Sequence, residues 1–444
     1  MKRILSFCLA LWPLCSEAEV RYRIIQVESG PQVPATYTSS ATGINNRGEI
    51  VGFFDSPDQT FYHIFVFTLI GGMVDLSPTI TSGDGAFASD INDLGQIVGW
   101  VASSGAFCYT PGVGFEYLGL SEDANAINNR GQIAGGTGGS AWRFTPGVGV
   151  EVFDQTWSGR GINEAGWVVG RGPPWNAFLY RDDQGVINLG PGVGIAINNQ
   201  GVVVGEWWGL PSVYYSAVVW TNGQARLLGT WGGDWSSAHA INNKNQVVGI
   251  STIPNGDGYG FLWTEEEGMV QLDALVAPNS DWYLGEANDI NDDGWIVGFG
   301  AYQGKSQAYL LVPIPPKLEI ARAGTNVVIS WSPHWPRLVL ETAPYHSATN
   351  WLPVPGGTND PVVLPALGPG QVFRLTQYDT LDPKLSLRAT GSNLVASWTP
   401  PWPDYSLEST PSLTAPTWLP VAGATNSPVH LPRVGTSGFF RLRR

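Results

Sequence analysis

Charge is scarce in this chain. Only 14% of its 444 residues are Asp, Glu, Lys or Arg, while aromatics reach 12% with twenty Trp. Disordered segments show the reverse balance, so a largely unfolded chain is excluded and much apolar surface must be buried. Cysteine is scarcer still, with three residues, Cys8, Cys15 and Cys108. Histidine is limited to His63, His239, His334, His346 and His430, none spaced as a metal pair. No Gly-x-Ser-x-Gly elbow, His-Glu-x-x-His or Cys-x-x-Cys occurs, which removes the usual signatures of serine hydrolases, zinc proteases and dithiol sites. Amphipathic helical periodicity is also missing. Fifty-six Gly and thirty-three Pro fit many tight turns, so the chain reads as all-β.

The N-terminus reads as an export signal over residues 1–18. Lys2 and Arg3 precede a short apolar core, Ile4 to Cys15, and Ser16-Glu17-Ala18 offers small residues for cleavage. That core is too short to span a membrane, and no later segment is long and apolar enough. Cys8 and Cys15 leave with the signal. Cys108, in the strand-like run AFCYT, then has no partner and reads as a small buried apolar residue. An exported chain without disulfides must rely on its core or on packing between repeats. Net charge is −14 in total, +1 in residues 1–18 and +3 in residues 317–444, which leaves −18 for the region between. Such a field disfavours nucleic acid and anionic membrane surfaces as partners.

What the chain does have is a phrase of the form Ile-Asn-Asn-x-Gly-x-Ile/Val-x-Gly, seven times over. The copies start at Gly43, Asp90, Ala126, Gly161, Ala196, Ala240 and Asp289, at intervals of 47, 36, 35, 35, 44 and 49 residues. Periods of this length mark solenoids, propellers or arrays. In the third unit, ANAIN, QIAGG, SAWRFT and VEVFD read as four short strands. Asn128 to Gly131 and Pro146 to Gly149 read as turns between them. Four antiparallel strands in about 35 residues match one propeller blade. The seventh unit supplies only three, EANDIN, WIVGFG and QAYLLV, and RYRIIQV near the N-terminus has the pattern of the missing one. Pairing of RYRIIQV with QAYLLV closes the ring, so the expectation is a seven-bladed β-propeller over residues 19–312; an open β-array is the alternative.

The positions around the variable residue before Ile are small, as in Ala41 and Gly43 or Ala124 and Ala126. Two residues apart on a strand, they keep one face small where units crowd together. The Asn residues are expected to bond backbone within their own turns. The phrase, with its aromatic third strand, resembles the probable extracellular repeat of the HAF family over about residues 20–312. The resemblance implies an exported bacterial repeat protein and carries no catalytic residues; Glu164 and Asn245 depart from the phrase within turns.

Beyond a linker at 313–316 the chain duplicates itself with an offset of 67. Ser330-Trp331 and Ser397-Trp398 correspond, as do the Trp-Leu-Pro-Val runs from Trp351 and Trp418. Residues 317–377 and 384–444 read as two β-sandwich-like modules, similar to the fibronectin- or immunoglobulin-like modules of exported bacterial proteins. Their expected roles are spacer, surface attachment or carbohydrate contact.

Candidate chemistry is sparse. Asp289-Ile290-Asn291-Asp292-Asp293-Gly294 fits the start of a calcium loop but lacks its closing acid, since Gly300 holds the twelfth position. The Pro-Gly-Val-Gly runs at Pro111, Pro146 and Pro191 read as hairpin turns between third and fourth strands, not phosphate loops. No catalytic residue, metal or cofactor is assigned. The loops after second and fourth strands share one face, vary in length and carry Trp175, Trp207 and Trp208, and Trp157, Trp231, Trp235 and Trp282. Variable loops on a rigid scaffold are where function resides, and exposed Trp suits sugar stacking or protein contact. The expectation is an exported, monomeric, non-catalytic binding or surface-structural protein whose Trp-rich face meets a carbohydrate or a cell-surface protein. The alternative is a glycoside hydrolase or polysaccharide lyase with acidic residues at the axis.

Overall fold

The computed structural model describes residues 19–27, 38–55, 61–77, 85–136, 139–210, 213–335, 338–344, 351–354, 356–365 and 371–377. Beyond these it describes 384–390, 393–399, 406–410, 419–421, 429–432 and 439–443. The export signal expected at 1–18 lies outside the described residues. These residues are all-β, with one 3-10 turn (Leu272–Leu275) and no α-helix among them. Up to Pro313 they form seven four-stranded antiparallel sheets. The third unit is typical, with strands Ala124–Ile127, Ile133–Gly135, Trp142–Thr145 and Gly149–Val152 paired in chain order. The seventh sheet draws three strands from Trp282–Ile290, Ile296–Tyr302 and Lys305–Pro313, and its fourth is Tyr22–Gln26. Tyr22 sits opposite Pro313 and Gln26 opposite Tyr309, so RYRIIQV does pair with QAYLLV.

Apolar residues from neighbouring sheets make the cores between them. Ile50, Phe65 and Met73 of the first sheet pack with Val297, Ala308 and Leu310 of the seventh. Third-strand aromatics fill these cores: Trp142, Trp220 and Trp263 are buried, as are Phe65, Phe107 and Phe178. Cys108 is buried and free.

The repeated phrase owes its spelling to three local demands. Its last Gly lies where strand two touches strand one. A Cβ at Gly52, Gly99 or Gly298 would come within 2.0, 1.9 and 2.0 Å of a carbonyl oxygen of the first strand, so no larger residue fits. Its turn Gly takes positive φ, 72° at Gly131 for example, and Asn245 replaces it at φ 59° because Asn tolerates the left-handed region. The first strand carries a β-bulge in all seven units, between Ala41 and Gly43, Ala88 and Asp90, Ala124 and Ala126, and so on to Ala287 and Asp289. The small residues are therefore not plain neighbours on one strand face. They flank an extra residue, the variable one, which the bulge takes out of the ladder. Crowding still selects them, since a Cβ on Gly161 would meet Ile195 O of the next unit at 2.8 Å.

The C-terminal segment forms four three-stranded sheets in two like pairs. Strands Lys317–Ala323, Asn326–Ser332 and Val362–Pro365 pair in the same order as Lys384–Thr390, Asn393–Thr399 and Val429–Pro432. Trp331 is buried among Ile329, Leu340 and Val362, between the two sheets of the first pair. Trp335 instead reaches back: its ring meets Tyr22 edge-on at 5.2 Å and its Nε1 donates to Ile314 O. Beside it His334 lies between the carboxylates of Glu19 and Asp360. Burial opposes the imidazolium there, but the two carboxylates prevail and its pKa is raised.

Candidate functional site

Two ends of the seven-sheet array differ in chemistry. At one end the Asn turns converge and line a single small cavity of about 150 Å³. Each first Asn of the phrase is almost fully buried. Asn128 shows how it is used: Oδ1 accepts the N–H groups of Arg130 and Gln132 within its own turn, while Nδ2 donates to Asn163 O of the next unit at 2.9 Å. The same inter-unit bond runs from Asn45 to Asn92, Asn92 to Asn128, Asn163 to Asn198, Asn198 to Asn242, Asn242 to Asn291 and Asn291 to Asn45. The expectation that these side chains bond within their own turns holds for the oxygen. Half of each amide leaves the turn, because the turn's oxygen needs are met from one end of the group and the other end is a donor. A second, exposed series joins the following residues. Asp93, Asn129, Glu164, Asn199, Asn243, Asp292 and Asn46 each accept the N–H of the preceding unit. Glu164 departs from the phrase but keeps the acceptor.

This geometry also accounts for the calcium-like run. Asn291 Oδ1 accepts N–H groups of Asp293 and Trp295, and both Asp289 oxygens accept backbone N–H groups, from Ile290 and Ile44. These oxygens hold the chain rather than converge on an ion, and no group of three His, Cys, Asp or Glu side chains gathers among the described residues.

Asp90 repeats the arrangement of Asp289, accepting N–H from Ile91 and from Ile127 of the next unit. Burial pushes both carboxyls up, to about 7 for Asp90 and about 6 for Asp289, and the Asp289 charge adds to the rise at Asp90. The folded protein therefore holds protons that an unfolded carboxyl releases near pH 4. Stability from these groups is fully present below about pH 4, falls as pH rises through about 6 to 7, and then levels off. Asp90→Ala with Asp289→Ala, the residue found at Ala126, Ala196 and Ala240, is expected to flatten that part of the thermal-midpoint profile. An unchanged slope between pH 4 and 7 would refute the assignment.

The other end carries an open cavity of about 760 Å³ between the fourth and fifth units, lined by Arg171, Pro174, Trp175, Glu206, Trp208 and Tyr215, with Asn176 and Pro191. Trp175 is 56% exposed and takes φ 98°, a left-handed value that a bulky residue adopts only under constraint. Three hydrogen bonds supply the constraint. Trp175 N–H donates to Gly172 O, and Trp175 O accepts from Gly192 N–H and Trp208 Nε1. Trp157 meets the Trp175 ring edge-on at 4.8 Å. The Arg171 guanidinium lies over both rings, 5.6 Å from Trp157 and 5.1 Å from Trp175.

Of the seven Trp singled out in the sequence, Trp157, Trp175 and Trp208 thus come together. Trp207 is half-buried and packs toward Trp220. Trp231 packs against the core that contains Val219 and Trp263, and Trp282 stacks on Tyr302 at 5.0 Å beside Tyr309. Trp235 is half-buried, with its backbone bridged to Tyr215. Trp207, Trp208 and Trp282 stand in strands rather than loops, because the fifth unit's second strand extends over Val203–Leu210 and the seventh unit's first strand starts at Trp282. Pro191 is a further correction. It ends the strand Gly185–Pro191 and leads into Val193–Ile197, so its Pro-Gly-Val-Gly run connects two units on the cavity face. The fourth unit's own hairpin is turned by Asp182 to Gln184. Arg171, Glu206 and Tyr215 were missed. Their only signal was position, beside Trp in segments that vary between units.

No protein-family profile matches the chain, and no curated protein matches it. Among solved structures, an acylaminoacyl peptidase from Pyrococcus horikoshii is similar over 82% of this chain and 57% of its own, at 11% identity and a TM-score of 0.28.

Proposed function

We propose that residues 19–312 form a seven-bladed β-propeller of HAF-type repeats, closed by the N-terminal strand, that presents its loop-face cavity to a carbohydrate. The linker at 313–316 then leads to two β-sandwich-like modules, at 317–377 and 384–444, and the chain is exported by residues 1–18. The observation that carries the binding reading is Trp175, held at positive φ by three hydrogen bonds so that its ring stays exposed beside Arg171 and Trp208. Rigid aromatic faces with a few fixed polar groups suit a sugar ring, and the cavity volume falls in the range of small-molecule sites. On a glycan array the purified protein should bind a defined subset of oligosaccharides. Trp175→Ala with Trp208→Ala should weaken that binding at least ten-fold without changing the thermal midpoint by more than a few degrees, on the order of 1 kcal/mol for a surface change. A parent protein that binds no glycan would sink this reading.

The carbohydrate-active enzyme reading keeps one observation in its favour, the two carboxylates Asp90 and Asp289 held near each other with raised pKa. Against it, each takes two backbone N–H groups, and among the described residues no Lys, Arg or Tyr side chain bonds to either. Release of new reducing or unsaturated ends from a polysaccharide, abolished by Asp90→Asn, would favour the enzyme.

A further inference from the structure

In four of the seven units the bulge residue of the first strand binds the neighbouring unit. Thr42 donates to Ala88 O, Asn125 to Gly159 O and Asn288 to Ala41 O, while His239 Nδ1 lies 3.1 Å from Ala287 O. Arg160 holds the same position in the fourth unit and is exempt. It is exposed, and among the described residues it makes no hydrogen bond or ion pair. Although the side chain reaches solvent, desolvation by the surrounding chain and then the Arg171 charge lower its pKa, against the charges of Asp123 and Glu206. Arg171 is likewise without an acidic partner. Its Nε is buried with no hydrogen-bond acceptor, and its guanidinium is fixed on the Trp157 and Trp175 rings at the cavity wall.

Arg160 is the bulge residue beside the Gly159–Gly170 pair, next to the Ser158–Arg171 pair, so two guanidinium groups with no acid in contact stand at neighbouring positions of paired strands, in a region of net charge −18. Most other described arginines up to Arg226 have an acid in contact: Arg21 with Glu267, Arg47 with Glu49, Arg143 with Glu151 and Asp182, Arg181 with Asp183, Arg226 with Glu265. Like charges held in a partly desolvated site favour an incoming anion, which restores hydrogen bonds to the fork and relieves the repulsion. We infer that the cavity is built for an acidic sugar, with the carboxylate of a uronate residue taken by Arg171 and Arg160 while the ring rests on Trp175 or Trp208. Glu206, on the same wall, then accepts hydroxyl donors of the sugar and sets the orientation in which the carboxylate meets Arg171. This inference rests on the carbohydrate reading and sharpens it to one chemical class.

The test compares three probes on the full chain: oligogalacturonate, its carboxyl-reduced neutral counterpart, and a sulfated neutral oligosaccharide of the same length. The expected result is at least ten-fold tighter binding of the uronate than of either other probe at low salt, with the margin shrinking as salt rises. Arg171→Gln and Arg160→Gln should each reduce that ratio several-fold, and Arg171→Lys should restore part of it. Arg226→Gln, away from the cavity, should leave the ratio unchanged. Equal binding of acid and neutral probes overturns the inference and leaves the carbohydrate reading standing. Tighter binding of the sulfated probe overturns the carboxylate assignment. Binding of none of the three overturns the inference alone if the parent binds another glycan on the array, and both readings if it binds none. Thermal midpoints of the variants separate lost recognition from lost folding.

Discussion

A chain that lacks residues 19–27 will fail to give the cooperative thermal transition of the parent. The strand Tyr22–Gln26 completes the seventh sheet, and without it the edge from Tyr309 to Pro313 is left unpaired. Tyr22 is buried with Leu275, Val276, Tyr309 and Leu311, and Val27 joins the core shared by the seventh and first sheets. Removing two buried side chains and two half-buried Ile residues costs on the order of 5 kcal/mol in apolar burial alone. That is comparable with the net stability of a typical domain. Arg21 adds a bidentate contact with Glu267, and its backbone bonds Leu275 and Ile314. Point variants separate packing from chain length. Tyr22→Ala should cost about 3–5 kcal/mol. Tyr22→Phe should be neutral or stabilising by about 1 kcal/mol, because the buried hydroxyl has no hydrogen-bond partner. Denaturant unfolding of the three proteins checks the series. A truncated chain with the parent's midpoint would show that the strand is dispensable to the fold.

Asn128→Ala is expected to lower stability by on the order of 3 kcal/mol, although the side chain is small and lies in a turn. The change leaves the N–H groups of Arg130 and Gln132 and the carbonyl of Asn163 without their partner in a nearly dry site. Asn128→Asp should be no better. It keeps the acceptor but loses the donor that spans to the next unit, and it brings a charge into the same enclosure. Asn129→Ala, one residue on, removes only exposed bonds to Asp93 and should cost less than about 1 kcal/mol. Thermal or urea unfolding of the three variants decides the point. Equal effects at the two positions would mean that the buried inter-unit bond contributes nothing beyond the turn.

The seven Asn phrases carried the unit boundaries, the strand order and the partner of the N-terminal strand in plain sight, because turns and hairpins are local. Asn-x-Gly demands a left-handed residue wherever it occurs, and a missing strand can be counted. The bulge was not visible. A residue leaves the ladder only when its neighbours across the sheet are known, so Ala41 and Gly43 looked like two positions on one face. The donor half of each Asn was equally hidden, since its acceptor is a carbonyl 35 to 49 residues away in sequence for six of them and 246 away for Asn291.

The candidate site was legible in part for the same reason. Composition pointed to Trp in the variable segments, and Trp157, Trp175 and Trp208 are where those segments meet. The other four Trp have similar sequence surroundings, but Trp207 and Trp282 pack against aromatic rings of neighbouring strands, Trp231 against a sheet core, and Trp235 beside Tyr215. Arg171 and Glu206 carry no motif at all. The sequence by itself determined the repeat, its turns and its small, crowded positions, because each follows from backbone sterics within a few residues. Which side chains are free to meet a ligand was decided only by the tertiary structure. An exposed Trp175 and two unpaired arginines are statements about what is absent nearby, and only the packing of one unit on the next defines what is near.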